Sequence, residues 1–403
     1  MVPLSIISGL LLLVAAALAL LAGYLIVLTV AAVFARKRGP AAGPATRRFA
    51  VLVPAHNEQA LIGRLLTSLN QLDYPKDGVD ICVVADNCTD ATAVIARSLG
   101  ARVYERSDAV EQAKGFALRW LLERLRADGC AFDAFVVFDA DSVVEPNFLR
   151  SMDARLERGS QVIQAYYSVL NASASTVAGL RYAALAAIHY VRPMGRSVFG
   201  LSCGLKGNGM CFAAPVLEHF AWQWFTLAED VEFHLALVKA GIRVDFAPET
   251  TVYADMPTTL RQAASQNARW EGGRLQLLRQ HVPALLIDGL RKISPLRLDA
   301  AVEQLIPPLS VPFGLGALCL LCGAVLGATE LMALSGLSLI GQIAYLMAGL
   351  VLVRAPWRTY VALGAAPIYI AWKLGLYSRA LVTSRDTSWV RTARPAPETA
   401  TQA

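Results

Sequence analysis

FAVLVPAHNE (Phe49–Glu58) runs five apolar residues into a proline and a polar turn. An unbroken apolar run of this length suits a strand buried on both faces, and the proline marks its end. Leu61, Leu65, Leu66 and Leu69 follow at helical spacing, so a helix is expected from Gln59 to Asn70. After the DYPKDG turn, VDICVVAD (Val79–Asp86) repeats the apolar strand. A helix over Ala91–Leu99 and a third strand, ARVYER, come next. EQAKGFALRWLLERLRADG reads as an amphipathic helix with Phe116, Trp120, Leu121 and Leu125 toward the core, and AFVVFDAD (Ala134–Asp141) as a fourth strand. Strands alternating with helices imply an α/β fold, a mostly parallel sheet with helices on both faces. Ligands of such sheets sit at the carboxyl ends of the strands, where this chain carries PAHNE, DNCTD and DAD. No GxGxxG follows the first strand and no GxxxxGK[ST] occurs, which argues against a dinucleotide-binding domain and against a P-loop.

Outside that stretch the chain turns apolar. It has 403 residues, 55% of them hydrophobic. Met1–Ala35, Gln304–Thr329 and Leu331–Val353 contain no charged side chain, and each exceeds the ~20 apolar residues a bilayer core requires. The first run lacks the basic start and short core of a cleaved signal. Arg36, Lys37, Arg38, Arg47 and Arg48 follow it, and basic flanks stay cytoplasmic. The expected organisation is therefore a transmembrane helix at 1–35, a basic linker at 36–48 and a cytoplasmic domain at 49–281. An amphipathic interface segment at 282–303 leads to a membrane region at 304–381, with spans at 306–327 and 331–353 and a re-entrant or third C-terminal span at 359–378. A cytoplasmic tail closes the chain at 382–403. The seven cysteines show no useful ligand spacing, and Cys319 and Cys322 sit inside an apolar run, so reduced thiols are expected. The net charge of +6 is largely juxtamembrane arginine, and no basic-aromatic stripe calls for a nucleic acid.

Several polar groups stand where the sheet would present them. Asp139 and Asp141, two apart at a strand end, would point to one side. Paired carboxylates suit a hard divalent ion that shares oxygens with a diphosphate, although D-A-D-S could equally cap a helix. Asp86 ends the second strand, and Asp90 is expected to cap the helix after it. Lys114 could reach the same pocket and neutralise phosphate, or simply sit on a solvated helix face. The glycine-dense FGLSCGLKGNGMCF (Phe199–Phe212) suits close backbone approach to a ligand. TLAEDVEF puts Glu229 and Asp230 at a helix start, where the helix dipole favours acids in any protein. In SQNARWEGGR (Ser265–Arg274), Gln266 and Arg269 share one helix face, Trp270 offers a stacking surface, and EGGR reads as a flexible joint.

PAHNE, VVADNCTD, VVFDADS, LAEDVEF and QNARW, in this order, resemble the membrane-bound family 2 glycosyltransferases, a group that includes the cellulose, chitin and hyaluronan synthases and ceramide glucosyltransferase. The resemblance covers roughly Phe49–Arg274. It implies a GT-A fold, the Rossmann-like mixed sheet of nucleotide-diphospho-sugar transferases, and inverting transfer from a nucleotide sugar, with UDP favoured. It places Pro54, Asn57, Glu58, Asp86, Lys114, Asp139, Asp141, Gln266, Arg269 and Trp270 at the donor. Mg or Mn would sit on Asp139 and Asp141, Asp230 would be the base, and Gly207, Asn208, Gly209, Glu229 and Trp270 would line the acceptor. Two departures stand out: Ala85 replaces an acid usual at the second strand end, and the glycine loop reads GLKGNGM.

With three or four spans, the expected function is transfer of one or few sugars to a lipid-linked or membrane-associated acceptor at the cytoplasmic face of the inner membrane. The competing reading is a processive polysaccharide synthase subunit, as a homo-oligomer or with an export partner. A non-catalytic membrane scaffold is a third class, and it predicts an eroded motif set that this chain does not have.

Overall fold

The computed structural model describes residues 4–35, 39, 43, 45–226 and 228–382. The basic residues Arg36, Lys37 and Arg38 and the tail beyond 382 lie outside it. In chain order the first elements are α1 (Leu4–Phe34), β1 (Phe49–Ala55), α2 (Ile62–Asn70), β2 (Val79–Asp86), α3 (Thr92–Ser98), β3 (Arg102–Arg106) and α4 (Lys114–Ala127). β4 (Ala134–Val137), β5 (Ser142–Val144), α5 (Phe148–Glu157), β6 (Val162–Val169), α6 (Thr176–Ala186), α7 (Arg192–Val198), β7 (Met210–Ala213), α8 (Ala214–Phe220), α9 (Glu229–Lys239) and β8 (Val244–Ala254) follow. The chain closes with α10 (Leu260–Arg291), α11 (Pro295–Leu305), α12 (Ser310–Leu326), α13 (Thr329–Leu352), α14 (Trp357–Ala362) and α15 (Ala366–Val382).

The strands form one eight-stranded sheet in the order β3-β2-β1-β4-β7-β6-β8-β5. β3, β2, β1 and β4 are parallel, as the alternation of strands and helices requires, whereas β7 runs antiparallel to both β4 and β6. Phe49, Val51, Val53, Val83, Val136 and Ile163 are buried in one core with Leu65, Leu66 and Leu69 of α2. Burying each such side chain stabilises the fold by about 1.5–3 kcal/mol, which is why these unbroken apolar runs sit mid-sheet.

Two expectations about this unit need correction. Leu121 and Leu125 of α4 face inward as expected, but Phe116 and Trp120 are only half-buried and Ala117 and Leu118 complete the buried face. Phe116 stacks on Phe225 at 4.1 Å with the Arg119 guanidinium over both rings, so both aromatics are held by cations and other rings rather than by the core. The fourth strand stops at Val137, and Asp139 and Asp141 lie in the turn between β4 and β5, closed by Ser142 N donating to Asp139 O at 3.1 Å. Their common side cannot therefore come from strand alternation.

The chain divides into two units. One holds the sheet, spanning Lys37–Asn171 and Ser202–His281. The other gathers Met1–Arg36, Ala172–Leu201 and Val282–Arg385. Two of its helices, α1 (apolar over Ile6–Phe34) and α13, are long and apolar enough to cross a membrane. A third span is reached if α11 and α12, bent by 67° at their junction, count together. The segment carrying α6 and α7, inserted between β6 and β7, belongs to this helical unit, which the sequence did not reveal. A Cβ on Gly195 of α7 would lie 2.4 Å from the Leu28 carbonyl of α1, and one on Gly349 of α13 would lie 3.2 Å from Ala187. Glycine permits these close approaches.

Within this helical unit α7 inserts two buried arginines among acids. Arg196 Nε lies 3.0 Å from Asp299, its guanidinium also binds Glu303, and it donates to Tyr24 Oη at 2.9 Å. Tyr24 donates to Asp299 at 2.7 Å. Arg192 lies 3.5 Å from Glu303 and donates to Tyr345 Oη at 2.9 Å, and Tyr345 donates to the Ala187 carbonyl. Two cations meet two anions, so the buried cluster is neutral.

α10 corrects another expectation. EGGR is no joint: one helix runs from Leu260 to Arg291 through Gly272, Gly273 and Pro283. Each interior glycine costs about 1 kcal/mol, offset by Leu277, Val282 and Leu285, which are buried along it, and by an Arg274–Glu271 ion pair.

Candidate active site

The parallel strands end on three loops, and their sequences lock the loops together. Asn57 adopts φ 54°, a left-handed conformation that asparagine tolerates. Its Oδ1 accepts from Thr89 N at 2.8 Å. Glu58 N donates to Thr92 Oγ1 at 2.8 Å, Gln59 N donates to Asp90 Oδ2 at 3.2 Å, and Gln59 Oε1 accepts from Ala91 N at 3.0 Å across the same gap. Asp90 Oδ1 accepts from Thr92 N at 3.0 Å just ahead of α3, but the N-cap position itself falls on Ala91, so Asp90 closes the turn before the helix and is not the cap expected of it. The PAHNE turn, from Pro54 at the end of β1 to Glu58, is thereby stapled to DNCTD.

Asp86 is buried at the end of β2, and the guanidinium of Arg106 at the end of β3 donates to it at 2.7 Å. Burial pushes the Asp86 carboxyl up, and Arg106 pulls it back. Sequence reading missed Arg106. Its signal was present: in a parallel sheet the last residue of β3 is the register partner of the last residue of β2. His56 Nδ1 lies 2.8 Å from the Asp86 carbonyl, so the strand end is held on both sides.

A second cluster forms where β4, α4, the glycine loop and α9 meet. Lys114, the first residue of α4, donates to Asp139 Oδ1 at 2.6 Å and to the Gly207 carbonyl, and its Nζ lies 3.7 Å from Glu229. A Cβ on Gly207, whose φ is 77°, would lie 3.4 Å from Asp230 Oδ2 and 3.8 Å from Lys114 Nζ. Lys114, Asp139, Gly207, Glu229 and Asp230 therefore converge. Desolvation raises the Glu229 and Asp230 carboxyls, and Lys114 opposes the shift in both. Two acids at one helix start would ordinarily be lowered by the dipole. Here burial wins, so they sit closer to neutral pH than exposed acids do.

Asn208 has another role than the acceptor contact expected of it. It is fully buried, donates to Ser142 Oγ at 2.9 Å and accepts from Asp139 N at 3.2 Å. Its amide is spent bracing the aspartate turn against the glycine loop. Gly209, at φ 68°, passes so close to Val252 that a Cβ would lie 2.8 Å from Cγ2, a packing requirement of its own. Gln266 and Trp270 stand one turn apart on α10, with Trp270 exposed. The side chain of Arg269 lies outside the described residues.

The loop before α9 was also missed. Trp222 and Trp224 are buried, and Trp224 stacks on Phe233 of α9 at 3.7 Å. A Cβ on Gly115 would lie 2.1 Å from the Trp224 carbonyl oxygen. The glycine after Lys114 thus lets the loop that leads into Glu229 and Asp230 rest directly on α4.

The description glycosyltransferase like family 2 matches residues 44–273, more than half of the chain. The chain belongs to this family. That family is one of enzymes, the glycosyltransferases. A probable glycosyltransferase of Bacillus subtilis, YdaM, is 24% identical over 236 residues, covering 56% of this chain and 55% of its own length. A beta-monoglucosyldiacylglycerol synthase of a Nostoc species is 26% identical over 315 residues, 75% of this chain and 64% of its own. The chain spans about half to two thirds of the length of these curated relatives. The mannosyltransferase PcManGT of Pyrobaculum calidifontis, solved with GDP-Man and Mn2+, superposes with a TM-score of 0.55 at 19% identity, covering 85% of this chain and 98% of that one. The fold is GT-A: a mixed sheet with helices, joined to candidate membrane helices near both ends.

Proposed function

We propose that this glycosyltransferase transfers a sugar, with inversion, from a nucleoside-diphosphate sugar, with UDP favoured, to a lipid-linked acceptor at the cytoplasmic face of a membrane. The observation that carries the reading is the convergence of Lys114, Asp139, Glu229 and Asp230 beside the glycine loop. The similarity to a glucosyldiacylglycerol synthase extends over 315 residues, more than the family domain alone, which supports a glycerolipid-type acceptor. The basic residues after the first apolar run and Arg354 and Arg358 after α13 support the cytoplasmic side.

Among the described residues no group of three or more His, Cys, Asp or Glu could enclose a metal. Two carboxylates, Asp139 and Asp141, on one turn fit an ion that completes its shell with phosphate oxygens and water. Mg or Mn held there would neutralise charge on the departing diphosphate. The protein's own groups do the rest. Asp230 accepts the proton of the acceptor hydroxyl as its oxygen bonds to the anomeric carbon, and the bond from that carbon to the diphosphate oxygen breaks with its electron pair leaving on phosphate. With no enzyme nucleophile in the path, the displacement inverts the anomeric centre. Lys114, Arg269 and Gln266 are the groups to meet the diphosphate, Asp86 with Arg106 the nucleoside, and Trp270 the acceptor sugar.

Membranes containing the chain, given radiolabelled UDP- and GDP-sugars, test the reading. A discrete, lipid-extractable product is expected. A long water-soluble polymer would replace this reading with a processive synthase.

A further inference from the structure

Lys114 occupies a position that the proposed metal would contest. Its ammonium is bonded to an oxygen of Asp139, one of the two carboxylates read as metal ligands, and it also faces Glu229 and the Gly207 carbonyl. It is tethered there by geometry. Lys114 opens α4, and the residue after it is fixed under the Trp224 carbonyl by an approach that only glycine allows. Asp139 is fixed as well, its amide held by Asn208. Three acids, Asp139, Glu229 and Asp230, therefore gather around one built-in cation, with Lys206 acting on Asp230 from the glycine loop.

We propose that Lys114 is an internal counter-ion that blocks metal uptake at Asp139 until a nucleoside diphosphate arrives and takes over the ammonium. A divalent ion on Asp139 beside an undisplaced ammonium would suffer like-charge repulsion at a few ångströms, in a partly buried site where such terms are strong. A diphosphate removes the conflict, since its oxygens accept from Lys114 while others bind the ion. Metal and nucleotide then bind with positive coupling, and by linkage each tightens the other equally. The free enzyme is kept from holding a metal that would bind acceptor or phosphate unproductively.

This inference rests on the metal reading of Asp139 and Asp141, and the test separates the two. Mn2+ binding to the purified full chain in detergent is followed by electron paramagnetic resonance, with and without UDP or GDP. The parent should bind Mn2+ weakly alone and at least about tenfold more tightly with nucleotide. Lys114→Met should bind Mn2+ alone about tenfold or more tightly than the parent, with the nucleotide effect largely lost. Lys114→Arg, which keeps the charge, should behave like the parent. If Lys114→Met, with a parent-like melting curve, binds Mn2+ alone as weakly as the parent while nucleotide-promoted binding still depends on Asp141, the counter-ion role is overturned and the metal site stands. If neither protein binds Mn2+ even with nucleotide, the metal site itself falls, and this inference with it.

Discussion

The acids that matter most are set by burial more than by motif. An exposed aspartate titrates near pH 4, but Asp230 is raised by desolvation against the pull of Lys114. As a base it must be ionised, so activity is lost as pH falls through this raised value. The acid limb of kcat/KM, which reports the free enzyme, should therefore lie above the ordinary aspartate range, and in Lys114→Met it should move higher still. A pH-rate profile measures both. Sequence alone gave the position of Asp230 at a helix start but not this shift, because the desolvating neighbours come from the glycine loop and α4, far away in the chain. Arg106 was overlooked although parallel pairing of β2 and β3 sets it opposite Asp86, because that pairing shows only once the strands are laid side by side. Asn208 was misread because glycine neighbours suggest a ligand loop, whereas its amide serves the Asp139 turn.

At the scale of elements, strands and helices of the parallel half were legible because their apolar periods are unambiguous. β2 falls on Val79–Asp86 as its sequence implies. The failures have physical causes. Phe116 and Trp120 look like core residues by hydropathy, yet arginines and other rings satisfy them at the surface. The two glycines of EGGR looked like a joint, and burial along α10 carried the helix through. Gly115 bears most directly on the site. A methyl there would meet the Trp224 carbonyl at 2.1 Å, so α4 and the loop before α9 would have to part. Gly115→Ala should lower transfer by at least about tenfold through displaced Lys114 and Asp230, a loss of ~1.4 kcal/mol in transition-state binding. Initial rates on protein with a native-like circular dichroism spectrum check it.

For the whole molecule, the long charge-free runs were enough to expect α1 and α13, and composition alone located them. The insertion carrying α6 and α7 was not legible, since its helices are short and carry Arg181, Arg192 and Arg196. Those charges are tolerated because Asp299 and Glu303 of α11 neutralise the last two. Removing one partner of a buried pair is costly, about 3–5 kcal/mol. Glu303→Ala should therefore lower the melting temperature of the purified chain markedly, while Glu303→Gln, which keeps hydrogen-bonding atoms, should cost less. Thermal melts in detergent decide between them.

The central claim is that Asp230 takes the proton from the acceptor in a site shared by Lys114 and Asp139. Turnover and donor affinity of Asp230→Asn test it together. A rate reduced by roughly 100- to 10,000-fold with nucleotide-sugar affinity within about threefold of the parent is predicted. Transfer at the parental rate would contradict it.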